Sequence, residues 1–407
     1  MSFYINLFLI NIIIIRNPMR RSYIVYTFIH TFELKKRITY KDYDFLRRNL
    51  ESPKTMAKET YNYYVSQYVA EGISIHLARC SPNEIKSGNS FENFILRLTI
   101  NPARILDPGT YFPLKTEAQL QEALILLSEK IDQIFNYADT IHYTIDTFYL
   151  SRIDLTHDAN NLPKNIKREI LSILWRLPLS HGTSYNTNLL TMEGYDRSRS
   201  IDLHHEHQGY DFCIYDKEAA CIDQEFPKNI TEYYSGTLRV ELRCFRTYIQ
   251  QNAITSNSVS EIIMEFLRSA EQHISKAYHR SFPYDTSLCY LSKKLLRQYL
   301  DCCNLSSKKA GKMAYLIFTC HKNKKRNLDY CISLTCQSEK AKNNLLKYFA
   351  AHSISPIVPS DSSVPFLQSL DSLLGIRDTI PEEERIFHFA QRHTHKKEVF
   401  CNVRKLS

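Results

Sequence analysis

The chain has 407 residues of ordinary globular composition and a net charge of +9, long enough to bury a sizeable core and to divide into two domains. Its eleven cysteines, from Cys80 to Cys401, include no Cys-x-x-Cys pair, which argues against a zinc framework or a disulfide scaffold and leaves reduced cytoplasmic thiols as the simplest reading. Nine glycines supply no Gly-x-Gly-x-x-Gly, and Gly311-Lys312 runs into Met313, so a dinucleotide fingerprint and a Walker-type phosphate loop are both excluded.

In chain order, Phe3 to Ile15 is apolar but broken by Asn6 and Asn11. It is short for a bilayer span and lacks the small residues of a cleavage site, so residues 1–18 read as a non-native extension and Met19 as the start, with a membrane anchor the lesser alternative. Tyr40 to Leu50 has a helical pattern; the rest of the stretch to Tyr64 is uninformative. Glu71 to Cys80 and Glu92 to Asn101 alternate apolar and polar residues and are expected to be neighbouring half-buried strands. Thr116 to Tyr137 carries one apolar helical stripe, and Pro163 opens a second helix through Leu177. Tyr185 to Met192, Ser198 to His205 and Gly209 to Lys217 read as strands. Beyond Tyr248 the spacing turns helical over Val259 to Tyr278, Leu291 to Leu300, Gly311 to His321 and Glu339 to Ala350. From Asn257 to Ala350 there are sixteen Lys or Arg against seven Asp or Glu, an excess equal to that of the whole chain, which favours a surface for a polyanion backbone. These elements predict an α+β fold: a mainly antiparallel β-sheet platform with flanking helices over residues 19–255, then a basic helical region over 256–360 and a tail over 361–407.

Two strands carry the chemistry. In Gly236 to Tyr248, Leu238, Val240 and Leu242 alternate with Arg239, Glu241 and Arg243. In Tyr149 to Asp158, Ile153 and Leu155 face away from Arg152, Asp154, Thr156 and Asp158. If they share a sheet, carboxylates and arginines meet on one surface, an arrangement suited to a hard cation and a phosphate. A solvated strand with Glu241 neutralised by its neighbours is the plain alternative.

Ser151-Arg152-Ile153-Asp154, then Gly209-Tyr210-Asp211-Phe212 running into Tyr215-Asp216-Lys217, then Leu238-Arg239-Val240-Glu241-Leu242, resemble the signature blocks of plasmid and phage rolling-circle replication initiators, the replication initiation factor type with the phage gene II/X-like proteins. The resemblance covers roughly Ile73 to Tyr248. It implies an origin endonuclease that nicks and rejoins DNA through a tyrosyl 5′-phosphate, aided by Mg²⁺ or Mn²⁺, on a β-sheet platform. Single-stranded or hairpin origin DNA is the implied partner, with a host helicase and a second copy of the chain left open, and no membrane. Asp154, Glu241 and Asp158 are the expected metal ligands, with Lys217 and Arg239 holding the developing charge. By resemblance the nucleophile follows the Arg-Val-Glu strand, which selects Tyr248; Tyr215, Tyr233 and Tyr234 stay as substitutes. His205-x-His207 is the rival metal pair, but a surface histidine cluster at a strand end is the plainer account of it. A copy-control or partition protein that binds DNA without chemistry is the alternative from another class.

Overall fold

The computed structural model describes residues 25–50, 54–57, 62–81, 92–135, 143–186, 199–205, 207–253, 258–284, 286–303 and 305–376. Expectations for residues 1–24 and 377–407, and for most of the strand expected over 185–192, lie outside these.

Ten strands form one antiparallel sheet: β1 (Val25–Ile38), β2 (Lys54–Ala57), β3 (Asn62–Val65), β4 (Ile73–Arg79), β5 (Phe94–Ile100), β6 (Tyr149–Ala159), β7 (Thr183–Tyr185), β8 (Ser200–His205), β9 (Tyr210–Asp216) and β10 (Leu238–Phe245). Their spatial order is β2-β3-β4-β5-β1-β6-β10-β9-β8-β7. The α+β architecture with helices following the sheet is therefore present as the periodicities predict, and β4 and β5 are indeed neighbours. The centre was not legible. β1 lies between β5 and β6, and its pairing with β6 shifts register twice: at Ile29/Thr31 an extra residue of β1 breaks its alternation, and at Glu33/Leu34 the extra residue is Ser151 of β6. A bulge flips the parity of everything after it, so a period-two reading cannot follow this strand.

The two faces of the sheet differ in character. Ile153, Leu155, Val240, Leu242, Phe212, Ile214 and Leu203 are fully buried in one core that also takes Ile263, Phe266, Ile274 and Tyr278 from the helices Val259–Arg268 and Ala270–Ser281. The single helix expected over Val259 to Tyr278 is thus two, parted at Ser269. The opposite face carries the charged residues described below.

The basic region continues as helices Lys293–Cys302, Ser307–Lys322, Leu328–Thr335 and Glu339–Ala351. It is tied back to the sheet side through Arg176, whose guanidinium donates to Val358 O at 2.6 Å and Cys320 O at 3.3 Å, and through Glu169, which accepts from the backbone N–H groups of Ser360 and Asp361. The start of the expected tail is not loose: Leu367, Leu370, Leu373 and Leu374 are buried, and Leu374 O is 2.7 Å from His157 Nε2. No helix among the described residues is long and apolar enough to cross a membrane.

One turn positions the mouth of the site. Gly72 has φ +86° where the chain enters β4, and a Cβ there would lie 2.6 Å from Asn101 O. Asn101 in turn caps the helix Pro102–Leu106, which leads into the loop carrying Tyr111 and Phe112. Gly72→Ala is expected to cost about 2 kcal/mol or more, combining left-handed strain with a backbone clash. A urea midpoint unchanged from the parent protein would refute this.

Candidate active site on the charged face of the sheet

Antiparallel pairing across four strands sets the polar side chains in three rows. Asp158, Arg239, Tyr215 and Ser200 face one another in the first row; Thr156, Glu241, Cys213 and Asp202 in the second; Asp154, Arg243, Asp211 and His204 in the third. With strands about 4.8 Å apart, each side chain has charged neighbours along and across the sheet. The two strands that carry the alternating charges do share a sheet, and these rows are what their pairing produces.

Above the first two rows lies a cleft of ≈ 550 Å³, lined by His30, Asp202, Tyr215, Lys217, Arg239, Glu241 and Arg243 on its floor and by Tyr111, Phe112, Phe226 and Tyr234 toward its mouth. Arg239 is 1% exposed and grips Asp158 through two bonds, Nε to Oδ1 at 2.7 Å and Nη2 to Oδ2 at 2.8 Å. Burial opposes the charge of that guanidinium, but Asp158 more than compensates and holds its pKa well above the ordinary value. Lys217 sits 5.3 Å from the Tyr234 ring and 5.7 Å from that of Phe226, with no ion-pair partner among the described residues. Burial, then repulsion from Arg239, pulls its pKa down.

Glu241 accepts from Tyr215 Oη at 3.1 Å and from Arg243 Nε at 2.7 Å. Burial alone would raise its pKa; Arg243 and then His30 outweigh burial and leave it below the usual carboxylate range. The Tyr215 phenol goes the other way, pushed well up by burial and by Glu241. Thus a hydroxyl, a carboxylate and an arginine that orients the carboxylate stand in sequence, the spatial order of a nucleophile and its base, while the opposite shifts keep the proton on the phenol in the free protein.

Asp154 joins the same face beside Arg152, with Nε to Oδ1 at 3.1 Å and a hydrogen bond from Thr31. Burial is the main cause that lifts it to about 6, and Glu241 adds to it. His30 was not among the residues singled out from the sequence. It is the extra residue of the β1 bulge, half-buried in the cleft wall, and burial followed by Arg239 lowers it to about 4. Bulges re-aim single side chains, which is why no alternation pointed to it.

Tyr248 is not on this face. It belongs to the helix Arg246–Asn252, is 5% exposed, packs edge-on against Tyr210 at 5.2 Å and shares a 2.9 Å hydrogen bond between its hydroxyl and His273 Nδ1. Tyr210 has the apolar parity of Phe212, so the phenol of Tyr248 lies with the helices, where burial pushes its pKa strongly up. Tyr215 and Tyr234 line the cleft, and Tyr233 stands at its mouth against Phe112.

The expected ligand set of Asp154, Glu241 and Asp158 fits a metal poorly as arranged. Each carboxylate is closed by its own arginine, Asp158 by a bidentate pair, and among the described residues no three His, Cys, Asp or Glu side chains gather as they would around an ion. The histidines do not supply one either. His205 is buried against the helices, with Nε2 2.9 Å from Ser281 Oγ and Nδ1 3.1 Å from Thr183 Oγ1, while His207 is exposed in the turn after the strand and His204 is exposed beside Asp211 at 2.7 Å.

Acid should loosen the molecule. Burial holds His30, His205 and His273 at about 4, against 6.5 for a free imidazole. Between these values the unfolded chain takes up protons that the folded one does not, so their contribution is full above about 6.5 and is lost as pH falls toward 4. Asp154 opposes them: its proton is retained on folding up to about 6, so its contribution is full below 3.8 and lost as pH rises through 6. Burial also lowers His76, His157, His321 and His352 and raises Glu169 and Asp202, so among the described residues seven imidazoles against three carboxyls predict a melting temperature that drops from pH 6.5 to 4, and less steeply in His205→Asn. A flat profile would contradict the assignment.

No family model and no curated protein matches the sequence. The fold and the cleft therefore define the class on their own terms: an α+β protein whose antiparallel sheet presents a cationic, carboxylate-bearing cleft ringed by aromatic side chains.

Proposed function

We propose that the chain nicks and rejoins single-stranded or hairpin DNA in the manner of a rolling-circle initiator, with the cleft on the charged face as its reactive centre. One observation carries this reading. The three sequence blocks that resemble the initiators come together as adjacent strands β6, β10 and β9: the second and third supply Tyr215, Asp216, Lys217, Arg239 and Glu241 to the lining of one cleft, and β6, which carries the first, holds Arg239 there through Asp158, 81 residues away in the chain.

In this reading Tyr215 is the nucleophile. Its oxygen attacks the scissile phosphorus while Glu241 takes the phenol proton, and Arg243 keeps Glu241 in place. Lys217 and Arg239 oppose the charge that grows on the phosphate oxygens. The bond from phosphorus to the 3′ oxygen breaks, and that oxygen leaves and acquires a proton from solvent. The resulting tyrosyl 5′-phosphate keeps the energy of the bond, so rejoining is the same step reversed and calls for no nucleotide. No step is routed through a metal, because the carboxylates are matched to arginines.

The same ion pairs favour a second reading, a DNA-binding protein without chemistry, since fully matched charges and a phenol with a raised pKa also describe an inert scaffold. The two part on incubation of the purified protein with labelled single-stranded oligonucleotides, with and without Mn²⁺, followed by a denaturing gel and peptide mapping. A covalent adduct on Tyr215 is expected. Salt-sensitive binding with no adduct under either condition would establish the second reading.

A further inference from the structure

Around the cleft mouth Phe226 and Tyr234 pack with Cys221 and Ile230 in a small core, while Tyr111, Phe112 and Tyr233 stand on its surface. They come from two segments that meet there: the loop between the helices Pro102–Leu106 and Glu117–Phe135, and the pair of short helices Lys217–Asp223 and Lys228–Tyr233 between β9 and β10. Tyr111 lies 4.6 Å from Phe226, and Phe112 lies 4.7 Å from Tyr233 in an edge-to-face pair. Tyr233 is 50% exposed, Phe112 39% and Tyr111 36%. Tyr233 also meets Tyr234 edge to face at 4.9 Å, and an edge-to-face contact covers only part of a ring, so with these exposures flat apolar surface stands open to solvent here.

The segments are held in position. Tyr234 donates its hydroxyl to Tyr111 O at 3.0 Å, and its ring carries Arg239 at 5.3 Å. Cations stand beside the rings: Arg104 is 5.4 Å from Tyr111, with its Nε on Thr110 O, and Lys217 lies between Phe226 and Tyr234. Neither Arg104 nor Lys217 forms an ion pair among the described residues. Flat rings alternating with cations that lack a carboxylate partner suit a ligand that is itself flat rings alternating with anions.

We propose that this rim is a stacking subsite for unpaired bases, in which Phe112 and Tyr233 take a base while Arg104 and Lys217 contact the flanking phosphates. The subsite rests on the reading of the cleft as a single-strand site but requires no catalysis. Stacking acts on any base face, so it gives grip on a single strand without sequence preference, whereas paired bases in a duplex keep their faces covered.

Full-length protein would be titrated by fluorescence anisotropy with an oligothymidylate and with an abasic strand of equal length at fixed salt. The base-bearing strand is expected to bind more tightly by roughly 5- to 150-fold per stacked base. Phe112→Ala combined with Tyr233→Ala should bring it to the abasic level, Tyr233→Phe should retain the difference, and Lys217→Gln should weaken both strands alike. Both rim residues are well exposed, and unchanged thermal melts would verify that the variants fold. Equal binding of the two strands by the parent protein, or a base preference that survives the double variant, would overturn the subsite. Base-dependent binding with no covalent adduct would leave the subsite standing and remove the nicking reaction; an adduct formed without base preference would do the reverse.

Discussion

Tyr215→Phe should abolish covalent DNA adduct formation, by about a thousandfold or more, while leaving strand binding within a few-fold of the parent. The substitution removes one oxygen, the atom 3.1 Å from Glu241 Oε2, and keeps the ring in its cleft wall. Glu241→Gln should preserve the side chain's shape but remove its capacity to take the proton, and is expected to slow the reaction without abolishing binding. Tyr248→Phe is the informative partner. Its hydroxyl is committed to His273 in the helical layer, so its loss should cost about 1 kcal/mol of stability and leave adduct formation intact. Peptide mapping of the adduct decides: attachment at Tyr248, or an undiminished adduct in Tyr215→Phe, would remove Tyr215 from the reaction.

The largest stability effect is expected at Arg239. Replacing it with Met would leave the Asp158 carboxylate buried, 5% exposed, without the two guanidinium bonds that satisfy it. Breaking a buried pair from one side costs about 3–5 kcal/mol, well beyond the ~1 kcal/mol of an ordinary surface ion pair. Asp158→Asn together with Arg239→Met removes both charges and should recover a large part of that loss, since the expense lies in the orphaned charge and not in the absence of the pair. Urea denaturation of the two single variants and the double provides the cycle. A loss below about 1 kcal/mol in Arg239→Met would mean that water reaches Asp158 and that the cleft floor is more open than its geometry indicates.

Much of the architecture was legible because burial on one side imposes a period on the residues. The alternations at Ile73 to Leu77, Phe94 to Ile100, Ile153 and Leu155, and Leu238 to Leu242 all became strands with those residues in the core. The helical stripes at Leu120 to Phe135 and Ile170 to Leu174 did likewise. The gathering of Asp154, Asp158, Arg239 and Glu241 on one face followed from the same parity.

What parity could not supply was the identity of partners. Asp158 is opposite Arg239 only because β10 runs antiparallel to β6 in that register, and one residue of slip would exchange every neighbour. The pairing turned an expected metal ligand into half of an ion pair. Tyr248 follows its strand directly in sequence, yet the backbone turns into a helix at Arg246 and carries the phenol to the other layer, while Tyr215 arrives beside Glu241 from a separate strand. His30 owes its place to a bulge, and the aromatic rim is assembled from segments near Tyr111 and Tyr233 that are remote in the chain.

The sequence by itself therefore determined the α+β class, most strand and helix positions and the charged character of one sheet face, since these depend on which side of each element is apolar. Only the tertiary structure decided which carboxylate meets which arginine, which tyrosine reaches the cleft and what rings its mouth. Those depend on register, a bulge and long-range closure, and no local period encodes them.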